Sequence, residues 1–171
     1  AFYIETMRHW GTFAESNYGH DRSADMPVDK TVNTYIRYYW QSGLEFSLMA
    51  LDYYAFTKDG KTLNELILPV VTEVMTFFDQ HWERDENGKI LFDPAMALET
   101  YQVAVNPLPE IVGINKICTE LLQLPKSALT KAQRKQYKRL ITELPEIPMR
   151  EVEGKKLLAP AHEYSGKQNI E

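Results

Sequence analysis

Cysteine is nearly missing from the chain: Cys118 is the only one among 171 residues. No disulfide framework can therefore form within it, and cysteine usage does not report the redox compartment. Cys118 lies in "INKICTELLQL", a helical apolar pattern, and reads as a small buried hydrophobe rather than a thiol nucleophile. Long hydrophobic runs are lacking too. None approaches the roughly 20 residues that cross a bilayer, so no membrane span is expected. The first residues show no basic-then-apolar secretory pattern. Positive charge is not in excess: 19 Lys and Arg stand against 24 Asp and Glu, for a net charge of -5. With the basic residues spread out, nucleic acid is not an expected partner, and no anionic-membrane patch is suggested. The motifs G-x-S-x-G, Walker A, G-x-G-x-x-G, H-E-x-x-H and paired C-x-x-C are absent, which removes the common hydrolase, nucleotide and zinc-site signatures. No initiating Met is present: the chain opens "AFYIETMRHW" and stops at "SGKQNIE". It is read as one fragment, residues 1–171, of a longer protein, so the missing signal does not speak for the parent.

What is present suits one globular unit with a real core. Hydrophobic residues make up 44% and charged residues 25% of the chain, while the aromatic share of 12% includes ten Tyr and three Trp. Several aromatics sit beside polar side chains. That suits a sugar- or ring-binding face and equally a Tyr-rich core.

Residues 1–30 show no sustained period and read as a long ordered loop, a kind that is usually functional. Three- and four-residue spacing of Ile36, Trp40, Leu44, Leu48, Leu51 and Ala55 predicts a helix from Thr31 to about Phe56. A second runs from about Leu63 to Trp82, with Pro69 kinking its first turns or marking its true start. Asn87-Gly88 in "RDENGKILFD" is a hairpin-turn signal. Pro107 or Pro109 opens a third helix that Pro125 stops. A fourth, in "SALTKAQRKQYKRLITEL", has Thr130 as its N-cap candidate. "MREVEGKKLLAPAHEY" reads as a Gly-turned hairpin followed by a polar loop.

Three places could carry chemistry. Arg37, Gln41 and Glu45 make a polar line along the first helix, either a solvated face or the wall of a wet cavity in which Trp40 offers a flat apolar surface. The first loop gathers Glu5, His9, Trp10, Glu15, Asn17, Tyr18, His20, Asp21 and Arg22. The two His fit no standard metal spacing, so no metal is expected; the mixture suits a polyhydroxylated substrate, or a network that pins the loop. In "MALETYQVAVNPLPE", Glu99 follows an apolar run and precedes Tyr101. Apolar surroundings disfavour the charged form of a carboxyl, as a general acid near neutral pH requires; capping a helix or pairing with Arg37 is the alternative role.

Together, "YIETMRHWGTFAESNYGHDR", "YIRYYWQSGLEFSLMALDYYAFTKD", "LETYQVAVNPLPEIVGI", "LLQLP" and "LAPAHEYSGKQNIE" resemble part of the (α/α)6-barrel glycoside hydrolases. The closest likeness is to the α-L-fucosidase-like group called family ninety-five and its relatives. The resemblance implies an all-α, mainly helical fold: a partial (α/α) barrel of about two helix pairs with short β hairpins. It also implies a secreted or periplasmic enzyme that cleaves polysaccharide with inversion, using two carboxyls about 6.5–9.5 Å apart and a water; separately, no cofactor is expected. Glu99 is the position matching the family's general acid. No "D-G-N" motif matching the family's base occurs here, so the second carboxylate is expected outside this fragment. Loops 1–30, 93–109 and 159–171 are expected to converge, placing Glu5, His9, Trp10, Asn17, Arg22, Trp40, Gln41, Glu45, Tyr101, Asn106 and Glu163 around a carbohydrate. The expected partners are carbohydrate and the remainder of the parent chain. The other reading is a non-catalytic carbohydrate-binding or structural helical domain.

Overall fold

The computed structural model describes residues 38–98, 100–101 and 103–165. The first helix, α1 (Ser42–Thr57), begins only after Gln41, whose carbonyl accepts the N–H groups of Leu44 and Glu45. Residues 38–41 are not helical, so the expected helix beginning at Thr31 does not run unbroken into α1. The helix ends at Lys58, in the left-handed region at φ 54, where its N–H donates to the Tyr54 carbonyl. Asp59 then caps α2 (Gly60–Thr62) by accepting the N–H groups of Lys61 and Thr62.

Helix α2 continues through a π turn, Leu63–Ile67, into α3 (Leu68–Gln80). Pro69 explains the wide turn. Its nitrogen has no hydrogen and its ring crowds the preceding turn, and an i→i−5 bond from Leu68 N–H to Leu63 O absorbs both problems. Helix α4 (Leu108–Gln123) carries Pro109 in its first turn, where a missing N–H costs little. A short 3-10 turn, Lys126–Ala128, leads to α5 (Lys131–Glu143). There Thr130 and Gln133 form a reciprocal capping box.

The apolar faces of these helices meet in one core that includes Val71, Met75, Phe78, Ile114, Ile117, Leu121, Tyr137 and Leu140. Cys118 is buried there, and burial, with a smaller push from the Asp79 charge, raises its thiol to about 12. An inert core thiol is the consequence. Helix α1 crosses α4 closely at Gly113, where an added Cβ would stand 3.0 Å from Leu44 Cδ1.

Four strands complete the fold. β2 (Met149–Val152) and β3 (Lys155–Leu158) form a hairpin whose turn residues Glu153 and Gly154 both have positive φ, the primed geometry that matches strand twist. β1 (Val103–Pro107) pairs antiparallel with β4 (Ala161–Ser165), with Ala104 opposite Tyr164 and Val105 opposite Glu163. The Asn87-Gly88 turn, by contrast, is flanked only by the isolated bridge Arg84–Ile90, and the Ile90 N–H, which points away from that bridge, donates to Glu143 at the end of α5.

The all-α expectation is thereby corrected. The described residues form a mixed α/β unit of four helical rods and two small antiparallel sheets, not a partial (α/α) barrel. The two stretches taken as loops, around Val103–Pro107 and Ala161–Ser165, are far apart in sequence and become strands by pairing with each other. Neither has a local signal that would reveal the other.

Candidate functional site

The site grows from the chain between Phe92 and α4. Ala95 and Ala104 exchange N–H and carbonyl groups at 3.2 and 2.9 Å, and Ala97 N–H donates to the Tyr101 carbonyl. A turn closed by Tyr101 N–H to the Leu98 carbonyl, at 2.9 Å, makes the tip. This small hairpin is extended by β4 on its far side. Tyr101, half-buried, meets the Tyr164 ring edge-on at 5.2 Å, joining tip to β4. Glu163 is exposed and, by strand alternation, lies on the other face from Tyr164.

Asn106 interrupts β1 at φ 50, a left-handed conformation that Asn tolerates better than most residues. Its N–H donates to Phe92 O, and its Oδ1 accepts the Phe92 N–H at 2.9 Å. Its Nδ2 stands 3.4 Å from His162 Nδ1, while His162 Nε2 is 2.9 Å from the Glu146 carbonyl. That carbonyl can only accept, so the ring carries its hydrogen on Nε2 and accepts from Asn106 on Nδ1. Asn106 thus ties Phe92 to β4.

Comparison with known proteins finds no matching family model, no similar curated protein and no similar solved structure. The site has to be read from its own geometry.

The foot of the hairpin is held by Gln41. Its Nε2 donates to Met96 O at 3.1 Å and to Ala97 O at 3.3 Å, and lies 3.5 Å from Glu110 Oε2. Gln41 is only 3% exposed and Glu110 is fully buried, in the first turn of α4. Burial is the main influence on Glu110 and raises its carboxyl to about 8; its own backbone N–H and the Gln41 amide pull back only partly. At neutral pH it is an uncharged acid. Its Oε1 has no hydrogen-bond partner among the described residues.

Trp40 adjoins the same foot through an Nε1–H bond to Pro94 O at 3.2 Å. Its ring packs against His81 at 4.8 Å, Trp82 at 5.6 Å and Phe77 at 5.7 Å. Burial in this nest lowers the His81 pKa. Beside it opens a cavity of about 360 Å³ whose lining includes Tyr39, Trp40, Glu73, Phe77 and Gln80.

The predicted residues therefore divide into three groups. Trp40, Gln41, Tyr101, Asn106 and Glu163 lie on or against the hairpin and β4. Glu45 stands apart, exposed in the first turn of α1, so the polar line does not share one environment: Gln41 is buried and Glu45 is not. Glu5, His9, Trp10, Asn17, Arg22 and Glu99 lie outside the described residues, as does Arg37. Glu110 was missed. Its signal was present in the spacing, because position 110 falls on the face of α4 shared by Ile111, Ile114, Ile117 and Leu121. A carboxyl on an apolar helix face is the mark of a buried acid.

A second titratable cluster is structural in form. Arg84 bonds Asp79 Oδ1 at 2.6 Å and Glu143 Oε2 at 2.9 Å, and Arg139 bonds Asp79 Oδ2 at 2.5 Å and Glu143 Oε2 at 2.6 Å. Burial pushes Asp79 upward, but hydrogen bonds from Arg139, Gln136 and Arg84 outweigh it and hold the carboxyl below its ordinary value. Glu143 behaves alike under its two arginines. No group of three or more His, Cys, Asp or Glu among the described residues is placed to hold a metal ion. No helix among them is long and apolar enough to cross a membrane.

Proposed function

We propose that the chain is part of a glycoside hydrolase in which Glu99 acts as general acid on a polysaccharide. What supports this most is the convergence of three sequence-distant segments: Trp40 and Gln41, the hairpin ending at Tyr101, and β4 with Tyr164 and Glu163. The paired rings of Tyr101 and Tyr164 suit the apolar face of a sugar. The sequence blocks that resemble the inverting glycoside hydrolases supply the reaction class. There the acid protonates the leaving oxygen while a base on the opposite face activates water. The base belongs to the remainder of the parent chain on this reading, and secretion or a periplasmic location follows from the same resemblance.

The test is hydrolysis of a panel of aryl glycosides and plant polysaccharides by the full-length parent and by its Glu99→Gln variant. Loss of about 10²–10⁴-fold in kcat, with the fold intact, is expected for removal of a general acid. Equal hydrolysis by both proteins sinks the assignment. The rings favour one second reading, a carbohydrate-binding unit without catalysis. Retention of polysaccharide in affinity electrophoresis by both proteins, with no product formed by either, is its signature.

A further inference from the structure

We propose that Glu110 is a positioning residue: acting through Gln41, it fixes the Met96–Ala97 arm of the hairpin and with it the turn from Leu98 to Tyr101. The inference deepens the proposed function and rests on it for the turn's importance. The geometry is that of one amide nitrogen among three oxygens. Gln41 Nε2 has two hydrogens and faces Met96 O, Ala97 O and Glu110 Oε2 at 3.1, 3.3 and 3.5 Å. The two carbonyls belong to the arm of the hairpin that leads into the turn. Gln41 is itself held at the start of α1 by its backbone carbonyl.

The fully buried carboxyl in the first turn of α4 thus shares an amide with the two carbonyls, and the three segments are locked at one point. Both side chains at that point are buried, Gln41 at 3% exposure and Glu110 at 0%. Among the described residues no charged side chain acts there; burial, the residue's own backbone N–H and the Gln41 amide are the influences on the acid. A purely apolar residue would fill the space and lose the lock. Glutamine would preserve both shape and acceptor.

The experiment compares native chain, Glu110→Gln, Glu110→Leu and Gln41→Leu by amide hydrogen exchange, with kcat and KM on the aryl-glycoside panel in the full-length parent. Losing one buried hydrogen bond at the lock should speed exchange at Ala97 and Ala104 by about tenfold in Glu110→Leu, and by more in Gln41→Leu, which removes all three contacts of the amide. Exchange at Ile117, Leu121 and Leu140 should stay as in the native chain, and Glu110→Gln should keep the native pattern throughout. In the parent, Glu110→Leu should lower kcat while leaving KM nearly unchanged, with Glu110→Gln restoring most of the rate. Uniformly faster exchange through the core, or a Gln variant that behaves like Leu, overturns the proposal. If Glu110→Leu does not fold, Glu110→Met takes its place: faster exchange at Ala97 and Ala104 supports the proposal, and native exchange there overturns it. If the native parent cleaves none of the panel, the hydrolase reading fails, while the exchange comparison judges the lock separately.

Discussion

Two glutamates less than forty residues apart in sequence meet opposite fates. Glu143, at the end of α5, is partly covered and faces two arginines, so burial loses to the cations and its carboxyl is held low. Glu110, in the first turn of α4, is fully covered and faces an amide, so burial wins and its carboxyl is held high. Covering a carboxylate is costly in both corners. The cation-rich corner offsets that cost by pairing, whereas the amide corner offsets it by keeping the proton. The first device ties helix to helix, and the second ties a helix start to a β hairpin.

The largest consequence is a pair of opposite pH slopes. Glu110 binds a proton more tightly folded than unfolded. Its stabilising effect is therefore complete below its ordinary value of 4.5 and is lost as pH rises toward about 8. Between pH 4.5 and 7 this amounts to about 3 kcal/mol at roughly 1.4 kcal/mol per unit. Urea unfolding across that range should show the slope in the native chain and a much flatter line in Glu110→Gln; equal slopes would remove the contrast. Asp79 and Glu143 act with the reverse sign. Their contribution is present above the unfolded values of 3.8 and 4.5 and disappears as acid protonates the lowered groups.

Next in size is Arg84→Met, expected to destabilise by about 2–3 kcal/mol at pH 7, because Arg84 also donates to the carbonyls of Asp79 and Trp82. Acid unfolding should move to higher pH in the same variant. An unchanged acid limb would mean that Arg139 alone holds both carboxylates low. The smallest effect belongs to Arg139→Met. Its side chain is 42% exposed against 24% for Arg84, and solvent screens such a pair, so about 1 kcal/mol or less is expected. That loss should shrink in high salt. An Arg139 effect as large as that of Arg84 would show that exposure does not grade the corner.

Much of the helical framework was legible in the sequence. The spacing in "EIVGINKICTELLQL" and the N-cap at Thr130 are local signals, and both act where expected, in α4 and α5; Gln133 completes a capping box there. The Glu153-Gly154 turn is local as well. Of the two outcomes expected at Pro69, a kinked first turn or a helix start, the second is nearer: α3 begins at Leu68 with Pro69 in its first turn, while the preceding π turn, which absorbs the ring, has no local signal. The sheet joining Val103–Pro107 to Ala161–Ser165 was invisible because its pairing is non-local. Trp40 and Gln41 were singled out as helix positions. Instead they precede α1, and they reach the hairpin because the chain is not yet helical there.

By itself, the sequence determined where α4 and α5 start and stop, which of their faces are apolar, and that Cys118 is buried. Those follow from neighbours three or four residues away, whose contacts the helix imposes. Only the tertiary structure decided that the polar stretch before α4 is a hairpin braced by β4 and Gln41, and that Glu110 keeps its proton where Glu143 gives its up. The charge of a carboxyl depends on the dielectric and the partners that distant segments bring to it, and no local spacing encodes those.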